Sequence, residues 1–387
     1  MEQTEEPTEQ MPEPMEQKED PMEQMPEPTD QSAELALLSD YITRCINRQR
    51  TAYNQVNRDV VFGPENGLPK PLLRRGQINR IVIFQESFNP PHLGHYRLLK
   101  KAVRYSQDMN VVAAIVIPLD DHTLHLQSSR TGETLHITQR LRVQLWRGTS
   151  QSNWYYVFEG NEIQWQIFKE ELTRFVKDDG FDLEFVPLLG AESLKEGETP
   201  PWNELDANCV IYGDISRPAR TWMTQTTLVG YGPWLRLEWD GDTLQKYAEA
   251  HIRSFGTLTH ILDVTMQSLG EPATQDLVEN LAEKEKTRIL RRLEYVMVCH
   301  CESLPGKSVR FIKPEQPIRD VGSAHMRSII LRCPTEIIGT LLGTKALSPA
   351  LLTQEACAFR ARLAILETAW RSYHSTEGTI YLTTTPH

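Results

Sequence analysis

The 387-residue chain predicts an α/β protein built on a doubly wound parallel sheet. Short apolar runs rich in branched residues recur along it, such as Ile81–Phe84 and Val111–Pro118, and runs of that kind are buried parallel strands. Amphipathic stretches of helical period separate these runs, and prolines, glycines or asparagines punctuate the joins. Strands that alternate with helices imply right-handed parallel crossovers. The ligand crevice of such a sheet opens at the carboxyl ends of its strands.

The first part of the chain stands apart. Residues 1–31 hold eleven acidic residues and one lysine, Lys18. Met11-Pro12-Glu13-Pro14-Met15-Glu16-Gln17 recurs as Met25-Pro26-Glu27-Pro28-Thr29-Asp30-Gln31. Alternating proline and glutamate cannot bury a core, so a disordered acidic tail is expected: an inert extension, or an arm that solubilises the protein or docks protein partners. The tail carries -10 of the net charge of -11, which leaves the other residues almost neutral. Nothing in that balance argues for a nucleic-acid surface.

Residues 32–76 read as a helix with Leu35, Leu38, Ile42 and Ile46 on one side, then a loop from Pro64 to Arg75. Residues 77–345 read as the main domain. After Ile81–Phe84 comes a turn, Gln85–Pro91, where two prolines stop the strand, and then a helix from His92. Val111–Pro118 is the second strand, followed by a loop at Asp120–His125 and a helix around Ile137–Trp146. A third strand lies near Trp154–Phe158, a helix over Asn161–Val176, a fourth strand over Phe185–Gly190 and a fifth over Cys209–Gly213. Trp222–Gly270 has no clear period and reads as an insertion or subdomain. Gln275–Met297 is a charged amphipathic helix and Val309–Ile312 a last short strand. Residues 346–387 hold a terminal helix, Glu355–Tyr373, and a polar tail.

Six cysteines show no disulfide framework, which fits a reducing compartment, cytoplasm or nucleus. Cys299-His300-Cys301 has no second ligand pair at zinc spacing, so strand-borne thiols are expected there and no metal held by protein side chains. No apolar run is long enough to span a membrane, and the acidic N-terminus is neither a secretory signal nor a basic transit peptide.

The chemistry concentrates between Ile81 and Lys100. A strand, a tight turn and a helix N-terminus make an anion site, because unpaired amide hydrogens and the positive end of the helix dipole converge there. His92 and His95 stand three apart at that helix start, on one face, where both could reach one phosphate. The string Ser87-Phe88-Asn89-Pro90-Pro91-His92-Leu93-Gly94-His95 resembles the His-x-Gly-His nucleotidyltransferases, and within them the nicotinamide mononucleotide adenylyltransferases. Leu188-Leu189-Gly190-Ala191-Glu192 is similar to their strand-end Gly-Ala-Asp segment. Pro317-Ile318-Arg319-Asp320-Val321-Gly322-Ser323-Ala324-His325-Met326-Arg327 is similar to their second signature, Ile-Ser-Ser-Thr-x-x-Arg, with Ser323 as helix N-cap.

The resemblance implies a Rossmann-like sheet of nucleotidyltransferase type. It implies transfer of AMP from ATP to nicotinamide or nicotinate mononucleotide, giving NAD and pyrophosphate, with Mg2+ accompanying the ATP and a homo-oligomer compatible with the family. His95 would contact the α-phosphate, with His92 beside it. Ser87, Phe88, Ser323 and Arg327 would line the triphosphate. Gly190, Glu192, Trp154 and Glu162 would line the mononucleotide side, although Trp154 reads equally well as a core residue. The chain departs from the pattern at Glu86, Glu192 and Ala324, where the family has glycine, aspartate and a hydroxyl, and its Asp120–His125 segment lacks the family's lysines. These departures keep two other readings open: a nucleotide-binding pseudoenzyme that acts through protein partners, and a cytidylyltransferase.

Overall fold

The computed structural model describes residues 34–53, 61–62, 71–148, 152, 154–193, 200, 206–213, 228–254, 262, 264–268, 270–313 and 322–380. The acidic repeat lies outside these residues. A short antiparallel pair, β1 (Leu35–Leu37) and β2 (Leu72–Arg74), brackets helix α1 (Leu38–Tyr53). The main sheet begins with β3 (Ile78–Glu86), α2 (Leu93–Arg104) and β4 (Val111–Pro118). It continues through α3 (Asp121–Thr131), α4 (Gln139–Arg147), β5 (Tyr155–Val157), α5 (Glu162–Asp178), β6 (Asp182–Gly190) and β7 (Cys209–Gly213). The rest is β8 (Leu235–Arg236), α6 (Gly241–Ser254), α7 (Glu271–Leu293), β9 (Val296–His300), β10 (Ser308–Ile312), α8 (Ser323–Arg332), α9 (Thr335–Gly343) and α10 (Pro349–Ile380).

Eight strands form one sheet in the order β5-β4-β3-β6-β7-β10-β9-β8. The first six run parallel, and β9 and β8 close the far edge antiparallel. The mostly parallel sheet flanked by helices is compatible with a Rossmann-like fold. Chain order runs outward from β3 to β5, then returns to the other side of β3 with β6. The order therefore reverses between β3 and β6, and a crevice opens outside the carboxyl ends of those two strands.

The strand period of two sends alternate side chains of β3 to opposite faces. Ile81 and Ile83 join a core with Trp165, Phe168, Leu172 and Phe175 of α5 and with Leu38 and Ile42 of α1. Val82 and Phe84 join a second core with Leu98 and Leu99 of α2 and Trp146 of α4. Burial on both faces explains why β3 and β4 read as continuous apolar runs. Helix α2 packs so closely that a Cβ on Gly213 of β7 would stand 2.3 Å from a methyl of Leu98. A larger residue there would have to push the Leu98 side chain aside.

Several expectations need correction. Leu35 belongs to β1 and is exposed, whereas the buried stripe of α1 starts at Leu38. Leu72–Arg74 is a strand where a loop was expected, because fully buried Leu73 anchors it. Asp121–Thr131 is a helix, not a loop: Asp120 Oδ1 accepts the Thr123 amide at its start, and Gly132 ends it at φ 72°. The charged helix stops at Leu293, and Val296–His300 pairs with β10. Within the Trp222–Gly270 region, β8 extends the sheet and α6 packs on α7 through Leu244, Ile289 and Leu293. Cys299 is buried in β9 and Cys301 bridges Tyr231, so these thiols are borne on and beside a strand. The terminal helix starts at Pro349 and not at Glu355, since proline suits a first helical turn. No described helix is long and apolar enough to cross a membrane.

Candidate functional site

The segment after β3 is held from several sides. Phe88 is fully buried and adopts a positive φ of 46°, unusual for a residue with a Cβ. Its ring meets Phe84 at 5.0 Å, Trp146 at 5.1 Å and His95 at 5.0 Å between centroids. The strain of such a backbone, about 1–3 kcal/mol, is of the size that burying one aromatic side chain offsets. Asn89 is also fully buried. Its Nδ2 donates to the Leu135 carbonyl at 2.8 Å, and its Oδ1 accepts the Ile137 amide at 3.0 Å.

His92 caps α2. Its Nδ1 accepts the amides of Gly94 at 3.1 Å and His95 at 3.4 Å, and His95 Nδ1 accepts the His92 amide at 3.2 Å in return. An Nδ1 that accepts an amide hydrogen carries none itself, so each neutral ring keeps its hydrogen on Nε2. The two rings stack with centroids 3.6 Å apart and planes 21° from parallel. The pair sits at the positive end of α2, with His92 buried and His95 half-buried, so His95 is the ring placed nearer to a phosphate that approaches this helix start.

The second signature lies beside the first. Ser323 is the first residue of α8 and not its cap; Gly322 takes that place with no side-chain bond. Freed from capping, the Ser323 hydroxyl donates to the Pro90 carbonyl at 2.9 Å. Arg327 donates to the Asn89 carbonyl and forms an ion pair with Glu133. The described geometry thus uses both residues to tie α8 to the 89–90 turn. The Leu93 amide adds a tie to the Lys345 carbonyl at 2.9 Å.

Other expected residues divide between the two faces of the sheet. Glu86 ends β3 half-buried, on the Phe84 side by strand parity, and its carbonyl accepts the Leu119 amide at 3.1 Å. Gly190 ends β6 beside Gly213. Glu192 lies in a short turn, Ala191–Ser193, and its side chain is outside the described set. Trp154 packs in the α2-side core against Tyr96 and Tyr155. Glu162 stands on the opposite face at the start of α5, so the structure does not bring these two together. Both oxygens of Glu162 are engaged, by Gln85 at 3.0 Å and Gln166 at 2.7 Å. A cavity of about 330 Å3 opens there, lined by Gln85, Glu162, Trp165, Lys169 and Phe185 among others. Ala324 is the second residue of α8.

Sequence reasoning missed Arg142. Its side chain is fully buried in α4 and makes three bonds: Nε to the Ile137 carbonyl at 2.8 Å, Nη1 to the Ser87 carbonyl at 2.7 Å and Nη2 to Asp121 at 3.0 Å. Burial pulls its pKa down and the Asp121 carboxylate pulls it up. The available signal was an arginine in phase with Val143, Leu145 and Trp146 on the buried side of α4. Among the described residues no group of three or more His, Cys, Asp or Glu could hold a metal ion. No family model matches the chain, and no curated protein matches it.

Proposed function

We propose that this chain is a nucleotidyltransferase-type protein that transfers AMP from ATP to nicotinamide or nicotinate mononucleotide, releasing NAD and pyrophosphate. The observation that carries the reading is the stacked His92–His95 pair at the N-terminus of α2, where buried His92 caps the helix and half-buried His95 lies against it. In the reaction a phosphate oxygen of the mononucleotide attacks the α-phosphorus of ATP, and the bond to the β-phosphate oxygen breaks. No covalent intermediate with the protein is required. His95 would donate to the α-phosphate as charge develops, and His92 would hold both the ring and the helix start. Magnesium would arrive with the triphosphate, its ligands supplied by substrate oxygens and water.

A second reading, nucleotide binding without turnover, is favoured by two observations. Arg327 is committed to Glu133 and the Asn89 carbonyl, and a carboxylate residue, Glu86, ends β3 where the nucleotidyltransferases that the motif resembles have glycine. At roughly 5 Å from one phosphate charge, a carboxylate would cost ~3 kcal/mol at an effective dielectric near 20.

The test is incubation of purified protein with magnesium, ATP and nicotinamide mononucleotide, with pyrophosphate and dinucleotide both measured. Turnover is expected, and His95→Ala should lower it by about a hundredfold. ATP binding with no product from any acceptor, CTP with a phospho-alcohol included, would establish the second reading instead. A Glu86→Gly variant that gains turnover would locate the impediment.

A further inference from the structure

Helix α10 carries an apolar line, Leu352, Ala356, Phe359, Leu363 and Leu366, at helical spacing. Its cover runs out along the helix: Leu352 is 1 % exposed and Ala356 3 %, but Leu363 is 37 % and Leu366 65 %. Beside this line, a groove of about 530 Å3 separates α10 from the segment that includes Leu135, Ile137 and Leu141. The α10 wall of the groove runs from Leu352 to Leu366, fourteen positions or roughly 21 Å along a helix, with its buried end at Leu352 and Ala356 and its half-covered and exposed end, about two turns, from Phe359 to Leu366. That is the footprint of another helix, laid in with anchors at i, i+3 or i+4 and i+7.

Charge narrows the occupant. Arg140 and Arg362 stand on the groove's rim, against a single acid, Glu355. Among the described residues neither arginine has a carboxylate partner. A second copy of α10 fits poorly. Two-fold contacts set residues near the axis against their own symmetry mates, and Arg362 lies one helical turn from Phe359, the middle of the line. Such a pairing would bring arginine against arginine.

We propose that the α10 groove is a docking site for an acidic amphipathic helix of another protein. Its apolar side would cover Phe359, Leu363 and Leu366, and its carboxylates would meet Arg140 and Arg362. The site is separate from the His92–His95 pair and does not depend on catalysis.

The experiment uses the full chain and two labelled, designed four-turn peptides with the same leucine anchors, one with glutamate and one with lysine at the outer positions. Fluorescence anisotropy should show the glutamate peptide binding at least about tenfold more tightly than the lysine peptide. Leu366→Asp and Arg140→Glu should each weaken it by about tenfold. Both positions are exposed, so unchanged thermal unfolding of the variants would show that the fold is intact. Absent binding, equal affinity for the two peptides, or indifference to both variants would overturn the proposal. So would concentration-dependent dimerisation, measured by sedimentation, that Leu366→Asp abolishes, since a second copy would then fill the groove.

Discussion

The two faces of the sheet at the carboxyl end of β3 are built on different plans. On the α2 side the chain is packed full: Phe88, Asn89 and His92 are buried, and both side-chain polar atoms of Asn89 and Nδ1 of His92 are held by backbone groups. On the α5 side a cavity of about 330 Å3 remains, and its polar contacts run between side chains, Gln85 to Glu162 and Lys169 to Asp206. Backbone partners cannot swing away, whereas side chains on a wet surface can. The first face is therefore preorganised, and the second can adapt to what enters it.

Breaking the packed face should cost the most. Phe88→Ala removes a fully buried ring and leaves a cavity, so urea unfolding should show a loss of about 4 kcal/mol. Arg142→Met keeps the side-chain bulk but strands the Ser87 and Ile137 carbonyls. About 3 kcal/mol should be lost by the same measurement, and ATP affinity should fall with it if the loop must be held in place to bind.

A smaller effect is expected at Asp120, which caps the helix that carries Arg142's carboxylate partner. Burial is the largest single influence on its pKa and raises it, but hydrogen bonds from the Thr123 amide and hydroxyl and the His122 amide together outweigh it and set the pKa below the ordinary carboxylate value. A depressed folded-state pKa means that the cap stabilises above the unfolded-state value and fades as pH falls through the folded one. Asp120→Ala should therefore cost about 1 kcal/mol near neutral pH, and thermal unfolding of the two proteins should converge in acid. The open face should respond least. Glu162→Gln keeps an exposed side chain of the same shape, and its stability should shift by under about 0.5 kcal/mol. A loss as large as that at Phe88 would abolish the distinction between the faces.

Legibility in the sequence followed the range of the interactions. The strand, turn and helix from β3 to α2 were readable because their determinants are neighbours: an apolar run, two prolines, and histidines that cap the helix on which they sit. The five parallel strands from β3 to β7 were readable for a related reason, since burial on both faces leaves an unbroken apolar run. By contrast, α3 hid behind a weakly apolar sequence, Asp121-His122-Thr123-Leu124-His125, in which only Leu124 and Ser128 are buried. Strand β9 hid at the end of a long charged helix, whose period ran on into it. In the 222–270 region, α6 carries an amphipathic face of its own, with Leu244 and Tyr247 against α7, but among the described residues of that region its flanking segments hold no strand or helix of comparable length to frame it.

By its residues alone the chain determined an α/β sheet, the position of the helix start after β3, and the pairing of two imidazoles there. These depend on groups within about one helical turn of each other, where local geometry leaves few alternatives. Only the tertiary structure decided what Ser323 and Arg327 hold, which side of the sheet Trp154 and Glu162 each take, and that Arg142 fastens the Ser87 carbonyl. Arg327 and the Asn89 carbonyl are 238 residues apart along the chain. Contacts at that range are chosen by how layers pack, and spacing along the chain does not encode them.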